Sequence, residues 1–366
     1  MGKQVHVIGA ATAGLVAAKR IAQRGIAVNV YDQKAVLGHP VRASGILSIS
    51  GLSTLGVNYS SAITNTLYGA NIHSATKTMR ILSSKPIAHV LDRKRLNEVC
   101  RDEAEVAGAS VTVGKRVSGA ELERMRACGI VVGADGAVST VAKHFSLGEI
   151  NRMLITYKAE FNIQVPDRNV VDLFFDNGKY PGLFAWLCPN AQDLLEVGVG
   201  IDSTSGNAKR TFEAFLREPQ ISSIIGKNRP VSEGASVIPM TLRKRFVDGK
   251  RRIMLIGDAA GQVKPTTGGG IVFGGNGAII AADTIHDYYE GTAKLDEYQK
   301  RFLGAYGLDL KLHSMINRLY SSLGTRGVGT MIEACNMLGV DKFLSIYGDM
   351  DRPSLVLRRF FLRSLA

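Results

Sequence analysis

The stretch IGAATAGLVAAKRIAQRGIAVNVYDQ, residues 8–33, decides the fold of the first part of the chain. Residues 4–10 form an apolar segment without alternation, which is typical of a strand buried on both faces. Residues 13–24 carry apolar side chains at helical spacing, and residues 26–32 form a second apolar strand. This order predicts a βαβ unit in a parallel sheet that is covered on both sides.

The turn between the first strand and the helix has the spacing of a dinucleotide-binding turn. Gly9 and Gly14 stand at the first and third glycine positions of G-x-G-x-x-G, and Ala11 stands at the second. In this motif the first glycine permits a tight turn, the second lets pyrophosphate approach, and the third lets helix and strand pack closely. We predict nucleotide contacts at Gly9, Ala11, Ala13 and Gly14, and a ribose contact at Asp32 after the second strand.

Composition excludes several classes of protein. The chain has 366 residues, 45% hydrophobic and 21% charged, which is ordinary for a folded globular protein with one large domain or two. The formal net charge is +13, yet the basic residues are dispersed and no nucleic-acid motif is present, so we expect no nucleic-acid partner. This charge suits an anionic lipid surface or an acidic redox partner. We expect no signal peptide, no membrane-spanning segment and a cytoplasmic location.

The cysteines show no pattern of a metal site or a redox pair. They are far apart, without a C-x-x-C pair or a nearby histidine at ligand spacing, so we expect reduced thiols and no metal. They are Cys100, Cys128, Cys188 and Cys335.

The middle of the chain differs from both ends. It contains β-branched and aromatic segments bounded by turn residues, which predict an antiparallel sheet forming one wall of a cavity. Residues 251–261 return to the buried-strand pattern, a long helix follows from about Gly270 to Tyr288, and only helices are expected after Leu295. The predicted strands of the middle part are 153–165, 169–177, 182–189 and 194–202.

The fold class expected is α/β, with a Rossmann-like nucleotide-binding domain and an inserted β-sheet. We predict a discontinuous nucleotide-binding domain made of residues 1–52, 85–150 and 243–290. The β-rich substrate domain is predicted at 53–84 and 151–242, and a C-terminal helical region at 291–366.

Two later segments identify the nucleotide. VVGADGAVSTVAKHF, residues 131–145, and RRIMLIGDAAGQVKPTTGGGIVFGGNGAIIAADTI, residues 251–285, resemble motifs of flavoproteins with the para-hydroxybenzoate-hydroxylase-type fold. The resemblance implies FAD, with Asp258 on its ribityl chain and the turn at Gly269, Gly270 and Ile271 at the N1–C2=O edge of the flavin. A helix N-terminus suits that edge, because reduced flavin carries negative charge near N1.

Three further segments resemble geranylgeranyl reductases of the archaeal type. They are HPVRASGILS at 39–48, LDRKRLNEVCRDEAEVAGA at 91–109 and LFAWLCPNAQDLLEVGVG at 183–200. The first has Pro40, Gly45 and Ser48 of the family's P-x-x-C-x-G-x-x-S pattern but Ala43 in place of its cysteine, and Ile46 replaces a common glycine. The resemblance implies flavin contacts at Ala43, Ser44, Gly45, Arg93 and Val117. At Ala43 only the backbone can take part in catalysis.

The resemblance implies reduction of isoprenoid C=C bonds by flavin hydride and a proton. Phe184 and Trp186 are the expected cavity wall in contact with the reacting chain, with ordinary core packing as the alternative. Cys188 is expected in the cavity wall rather than as a substitute thiol. The expected substrate is a prenylated membrane-lipid precursor or a prenyl quinone, and the electron donor is NAD(P)H or a ferredoxin-like protein.

Two other functions remain open from the sequence. One is a flavin monooxygenase of the same fold acting on an apolar substrate, and the other is a degenerate flavin- or lipid-binding protein. The terminal segment SLVLRRFFLRSLA, residues 354–366, fits either a peripheral membrane helix or a helix docked on the core.

Overall fold

The structure is a computed structural model that describes residues 3–38, 44–191 and 193–364. Ala43 and Pro40 lie outside the described residues, so the predictions made for them have no structural counterpart here. The strands are β1 Gln4–Ile8, β2 Ala27–Tyr31, β3 Ile46–Ser48, β4 Ile63–Leu67, β5 Gly69–His73, β6 Thr78–Leu82, β7 Ala88–Leu91, β8 Ser110–Thr112, β9 Ile130–Gly133, β10 Met153–Asn162, β11 Val170–Phe174, β12 Gly182–Ala191, β13 Leu194–Asp202, β14 Ser232–Pro239, β15 Val247–Asp248 and β16 Ile253–Leu255.

Helices alternate with strands up to β16, and only helices follow β16. They are α1 Thr12–Gln23, α2 Ile49–Leu52, α3 Arg93–Val106, α4 Gly119–Cys128, α5 Thr140–His144, α6 Ala208–Leu216, α7 Pro219–Ile225, α8 Ile271–Tyr289, α9 Glu297–Ser322, α10 Thr325–Met337, α11 Val340–Tyr347 and α12 Pro353–Ser364.

The first sheet has the order β15-β16-β9-β1-β2-β8 and is parallel except at its β15 edge. Strands β1, β9 and β16 are buried along their whole lengths or nearly so, because helices cover both faces. The predicted βαβ unit is therefore confirmed. It places the turn after β1 at the carboxyl edge of this sheet, where α/β proteins bind nucleotides.

The second sheet has the order β14-β10-β13-β12-β11-β5-β6, and a small sheet joins β3, β7 and β4. The predicted antiparallel pairing is confirmed among β10, β11, β12 and β13, and the sheet also contains β5, which runs parallel to β11. Strand β5 comes from the segment before α3, and the long connection to β11 permits a parallel pair.

The C-terminal helices surround this framework. Helix α9 packs against α8 and α12, whereas α10 and α11 pack against the edge strand β6. The division into domains at the residue numbers given above stays a prediction. Among the helices of the described ranges, none combines the length and apolarity needed to span a bilayer.

Candidate functional site

A cleft joins the carboxyl edge of the parallel sheet to one face of the second sheet. One half is formed by the turn after β1, the start of α3 and the loop that leads into α8. The other half is formed by apolar side chains of β3, β11, β12 and β14. A polar nucleotide and an apolar molecule beside it can therefore bind in the same cavity, each in contact with side chains of matching polarity.

The turn after β1 has the close packing that its glycines predict. Gly9 has φ +110°, and a Cβ there would lie 2.2 Å from the Ala134 oxygen. A Cβ on Gly14 would lie 2.0 Å from the Gly9 oxygen, so helix α1 can approach the strand only without a side chain. Ala11 is the N-cap residue of α1, without a side-chain cap, and Ala11 and Ala13 line the cleft. The positive end of α1 therefore faces the cavity.

Asp32 lies at the turn but does not line the cleft. Its carboxylate accepts hydrogen bonds from the backbone N–H groups of Ala10 and Lys34, each at 2.8 Å. The carboxylate thereby fixes the end of β2 beside the glycine turn. A ribose contact at Asp32 stays a prediction.

Arg93 and Asp258 bring opposite charges into the nucleotide half of the cleft. Burial lowers the pKa of Arg93 to about 10, and the nearby Asp258 charge opposes this effect. Burial also raises the pKa of Asp258 to about 6, against the attraction of Arg93. In the described part of the chain, Arg93 Nε has no hydrogen-bond partner, and neither does the hydroxyl of Ser44 at the same cleft. These polar atoms fit a polar ligand that enters between them.

The loop from Lys264 to Ile271 brings backbone close to the same charges. A Cβ on Gly270 would lie 2.7 Å from Asp258 Oδ1, and one on Gly269 would lie 2.7 Å from Lys264 Cε. Helix α8 begins at Ile271 without a side-chain cap, so its first N–H groups are available to the cleft. The unpartnered groups and this glycine cradle fit FAD, with a helix N-terminus for the electron-rich edge of the flavin.

Two residues that the resemblance implied are not at the cleft. A Cβ on Gly45 would lie 2.1 Å from the Leu91 oxygen, so this glycine serves the close approach of β3 and β7. Val117 is buried in the main hydrophobic core. Neither residue lines the cleft within the described residues, and flavin contacts at Gly45 and Val117 stay predictions. The cleft brings together Ala11, Ala13, Ser44, Arg93, Asp258, Gly269, Gly270, Ile271, Phe184 and Trp186.

The apolar half of the cleft has a rigid aromatic wall. Trp186 Nε1 donates to Glu196 Oε1 at 2.8 Å, and Glu196 forms a buried ion pair with Lys158 at 2.5 Å. Gly198 makes room for the indole, since a Cβ there would lie 2.1 Å from Trp186 Cζ2. The centroids of the Phe184 and Trp186 rings are 6.2 Å apart. Both aromatic residues are thus held in place and line the cavity.

Cys188 follows this wall but does not line the cleft. It is fully buried, and desolvation raises the pKa of its thiol well above the ordinary value. The expectation of a cavity-wall cysteine is not met by the described residues. Because a buried, protonated thiol is a poor nucleophile, we expect Cys188 to be unreactive. No group of acidic, histidine or cysteine side chains in the described ranges has the geometry to hold a metal.

Lys264 and Asp351 are site residues that no sequence pattern predicted. Their side chains form a buried ion pair of 2.6 Å at the cleft, and the Ser48 hydroxyl donates to the second oxygen of Asp351. Ser48 belongs to a quoted motif, and Lys264 adjoins the predicted flavin loop. Asp351 lies in the C-terminal region with no local pattern to mark it, so only the fold brings it to the site.

The comparisons with known proteins agree with this geometry. A family model described as "FAD binding domain" matches residues 3–303. A digeranylgeranylglycerophospholipid reductase of Methanothermobacter thermautotrophicus is 28% identical, over 90% of this chain and 89% of its own. A geranylgeranyl bacteriochlorophyll reductase-like protein from Thermoplasma acidophilum has a TM-score of 0.80 at 18% identity, over 98% of this chain and 96% of its own. A flavin-dependent brominase has a TM-score of 0.69 at 15% identity, over 100% of this chain and 99% of its own.

Proposed function

The chain belongs to the FAD binding domain family, and from this membership we propose that it is an FAD-dependent reductase of isoprenoid C=C bonds. Its cofactor is FAD, and it is a flavin-dependent oxidoreductase. The substrate class that we propose is the geranylgeranyl chain of a membrane-lipid precursor. The relative that is named a digeranylgeranylglycerophospholipid reductase supports this choice.

The observation that carries the proposal is the continuity of the polar and apolar halves of the cleft. Leu173, Leu183, Phe184 and Trp186 extend the cavity beyond the loop that fits the flavin. When bound in its reduced form, FAD would supply a hydride from N5 to one alkene carbon, and the other carbon would take a proton that comes in the net reaction from solvent. The apolar wall contacts the prenyl chain and excludes water, while the aromatic faces stabilise positive charge that develops on the alkene.

The residues of the nucleotide half have separate roles in this proposal. Arg93 donates to polar groups of the dinucleotide, and Asp258 accepts from the hydroxyl groups of its ribityl chain. The glycines of the loop let the backbone approach the ring. The backbone N–H groups of the first turn of α8, which begins at Ile271, would donate to the electron-rich edge. Residue 43 is alanine, so no thiol at this position takes part in the proposed reaction.

An anaerobic experiment tests the proposal. The FAD-loaded protein is reduced with dithionite and mixed with a geranylgeranylated glycerophospholipid, and flavin reoxidation is followed together with product mass. We expect a gain of about two mass units per saturated bond, matched to the flavin that is reoxidised. Flavin that stays reduced beside an unchanged lipid contradicts the proposal. A subsequent oxygen pulse then separates a monooxygenase, which yields an oxygenated product, from a binding protein.

We propose in addition that the C-terminal helices contact an anionic lipid surface. Helix α9 exposes the apolar side chains of Leu308, Met315 and Leu319 along one face. Lys311 and Arg318 are exposed beside them on the same helix. An apolar stripe flanked by cations suits the headgroup region of an anionic membrane, and this surface gives the enzyme access to a lipid substrate.

A further inference from the structure

The Lys264–Asp351 pair connects the flavin loop to the C-terminal segment. The two side chains are 7% and 4% exposed, and Nζ lies 2.6 Å from Oδ1. Lys264 Nζ also donates to the Met350 carbonyl oxygen at 3.2 Å, and the Ser48 hydroxyl donates to Asp351 Oδ2. The ammonium group is therefore fixed inside the cleft rather than free to move with solvent.

The same ammonium group lies against the glycine loop. A Cβ on Gly269 would be 2.7 Å from Lys264 Cε and 3.6 Å from Nζ. The Lys264 N–H also donates to the Gly269 carbonyl oxygen at 3.1 Å. A ring that rests on this loop thus has a buried positive charge as its neighbour.

The surroundings of the pair keep the Asp351 carboxyl group ionised. Burial raises the pKa of Asp351, but the Lys264 charge and hydrogen bonds from Lys264 and Ser48 outweigh burial and hold the pKa below its ordinary value. His313 donates to the Asp351 carbonyl oxygen and stays neutral, because burial and the Lys264 charge lower its pKa to about 4. A charged carboxylate therefore compensates the ammonium in part.

We propose that Lys264, positioned by Asp351 and Ser48, stabilises reduced FAD and raises its reduction potential. Reduced flavin gains negative charge, and a fixed cation in a poorly solvated cleft favours that form. Asp351 limits the effect, so the pair keeps the flavin reducible by a donor without removing its capacity to give up a hydride. This inference rests on the FAD site of the proposed function and is independent of the identity of the substrate.

The test is the midpoint potential of the FAD-loaded protein at pH 7, measured against reference dyes without any prenyl lipid. We expect Lys264→Met to shift the reduction equilibrium at least tenfold toward oxidised flavin, about 30 mV for two electrons. Asp351→Asn shifts it in the opposite direction, because the ammonium is then uncompensated. Lys264→Arg stays close to the wild type, and so does Lys250→Met, which removes an exposed lysine outside the cleft.

Unchanged potentials in Lys264→Met and Asp351→Asn, or shifts in the same direction, overturn the inference. A purely structural role lowers the melting temperature or FAD affinity of the variants but leaves their potentials alone. If Lys264→Met does not retain FAD, Asp351→Asn decides the question, and a fall or no change in its potential counts against the inference. Since no lipid is present, failure of lipid reduction and failure of this inference are separate results.

Discussion

Arg93 brings a positive charge into the cleft, and no carboxylate of the described residues forms an ion pair with it. Its Nε atom has no hydrogen-bond partner among the described residues, and burial lowers its pKa. A folded protein that keeps a buried N–H of a charged side chain without a hydrogen-bond acceptor loses stability by doing so. That loss is recovered when a ligand with oxygen acceptors binds, so Arg93 is a residue for binding rather than for folding.

We expect Arg93→Met to weaken FAD binding on the order of tenfold to a hundredfold, the range for a charge-assisted hydrogen bond. The FAD-free protein should unfold at the same temperature as the wild type or a higher one, because no contact of Nε is lost. Flavin fluorescence titration and thermal unfolding provide the measurements. Arg95→Met is the matched control, since Arg95 is exposed on the same helix and pairs with Glu98. Equal weakening by both variants contradicts the role of Arg93.

Asp258 makes the stability of the FAD-free protein dependent on pH. Its pKa of about 6 in the folded protein exceeds the ordinary value of 3.8, so the folded state holds the proton more tightly than the unfolded state. Its contribution to the unfolding free energy is fully present below the unfolded-state pKa and is lost as pH rises through the folded-state pKa. We expect Asp258→Asn to remove this decline.

The measurement for Asp258 is urea unfolding of the FAD-free wild type and variant from pH 4 to pH 7.5. The difference in unfolding free energy, variant minus wild type, should increase between about pH 4 and pH 6 and remain constant above. A constant difference over the whole range would show that the carboxyl group ionises normally in the folded protein.

At the scale of single elements, the sequence predicted more than it missed. The boundaries of β1, α1, β2 and α8 follow from apolar periodicity and glycine positions, and the structure places them within a few residues. The parallel pairing of β5 with β11 could not be predicted in this way, because periodicity describes which face of a strand is buried and not which strand lies beside it. The contact between Lys264 and Asp351 could not be predicted either, because it depends on the path of the C-terminal helices.

Strand β14 offers a test of the apolar half of the cleft. Ser236 lines the cavity, whereas the neighbouring Ala235 is exposed. Successive side chains of a strand point to opposite faces, so a large residue at 236 fills the cavity and one at 235 enters solvent.

We expect Ser236→Trp to reduce prenyl-lipid reduction at least tenfold while FAD affinity stays within about twofold of the wild type. Ala235→Trp should leave both unchanged and serves as the control. The measurements are anaerobic flavin reoxidation and FAD titration. Normal turnover by Ser236→Trp would show that the prenyl chain binds elsewhere.

For the molecule as a whole, exposed apolar side chains are unevenly distributed. In the described residues they concentrate after residue 300, on the C-terminal helices α9 to α12 and the turns between them. Exposed apolar surface of this kind marks an interaction site more often than an accident of composition. Examples are Leu308, Met315, Ile316, Leu319, Met337, Leu338 and Phe360.

We expect the protein to sediment with anionic phospholipid vesicles and not with neutral ones, with binding that weakens as salt increases. The double variant Met315→Glu/Leu319→Glu should lose at least tenfold in vesicle affinity, because charges do not enter the interface. Val106→Glu, which alters an exposed apolar side chain on α3, is the control. If the double variant instead dissociates a dimer of the protein, the face binds a second copy and the lipid proposal is wrong.

The position of Asp351 has a practical consequence for anyone who shortens this protein. The family model ends at residue 303, yet Met350 and Asp351 complete the cavity from the far end of the chain. A truncated version cut at that boundary would expose Lys264 without its carboxylate and open one side of the flavin pocket. The smallest working unit of this enzyme is therefore larger than the region that the family model matches.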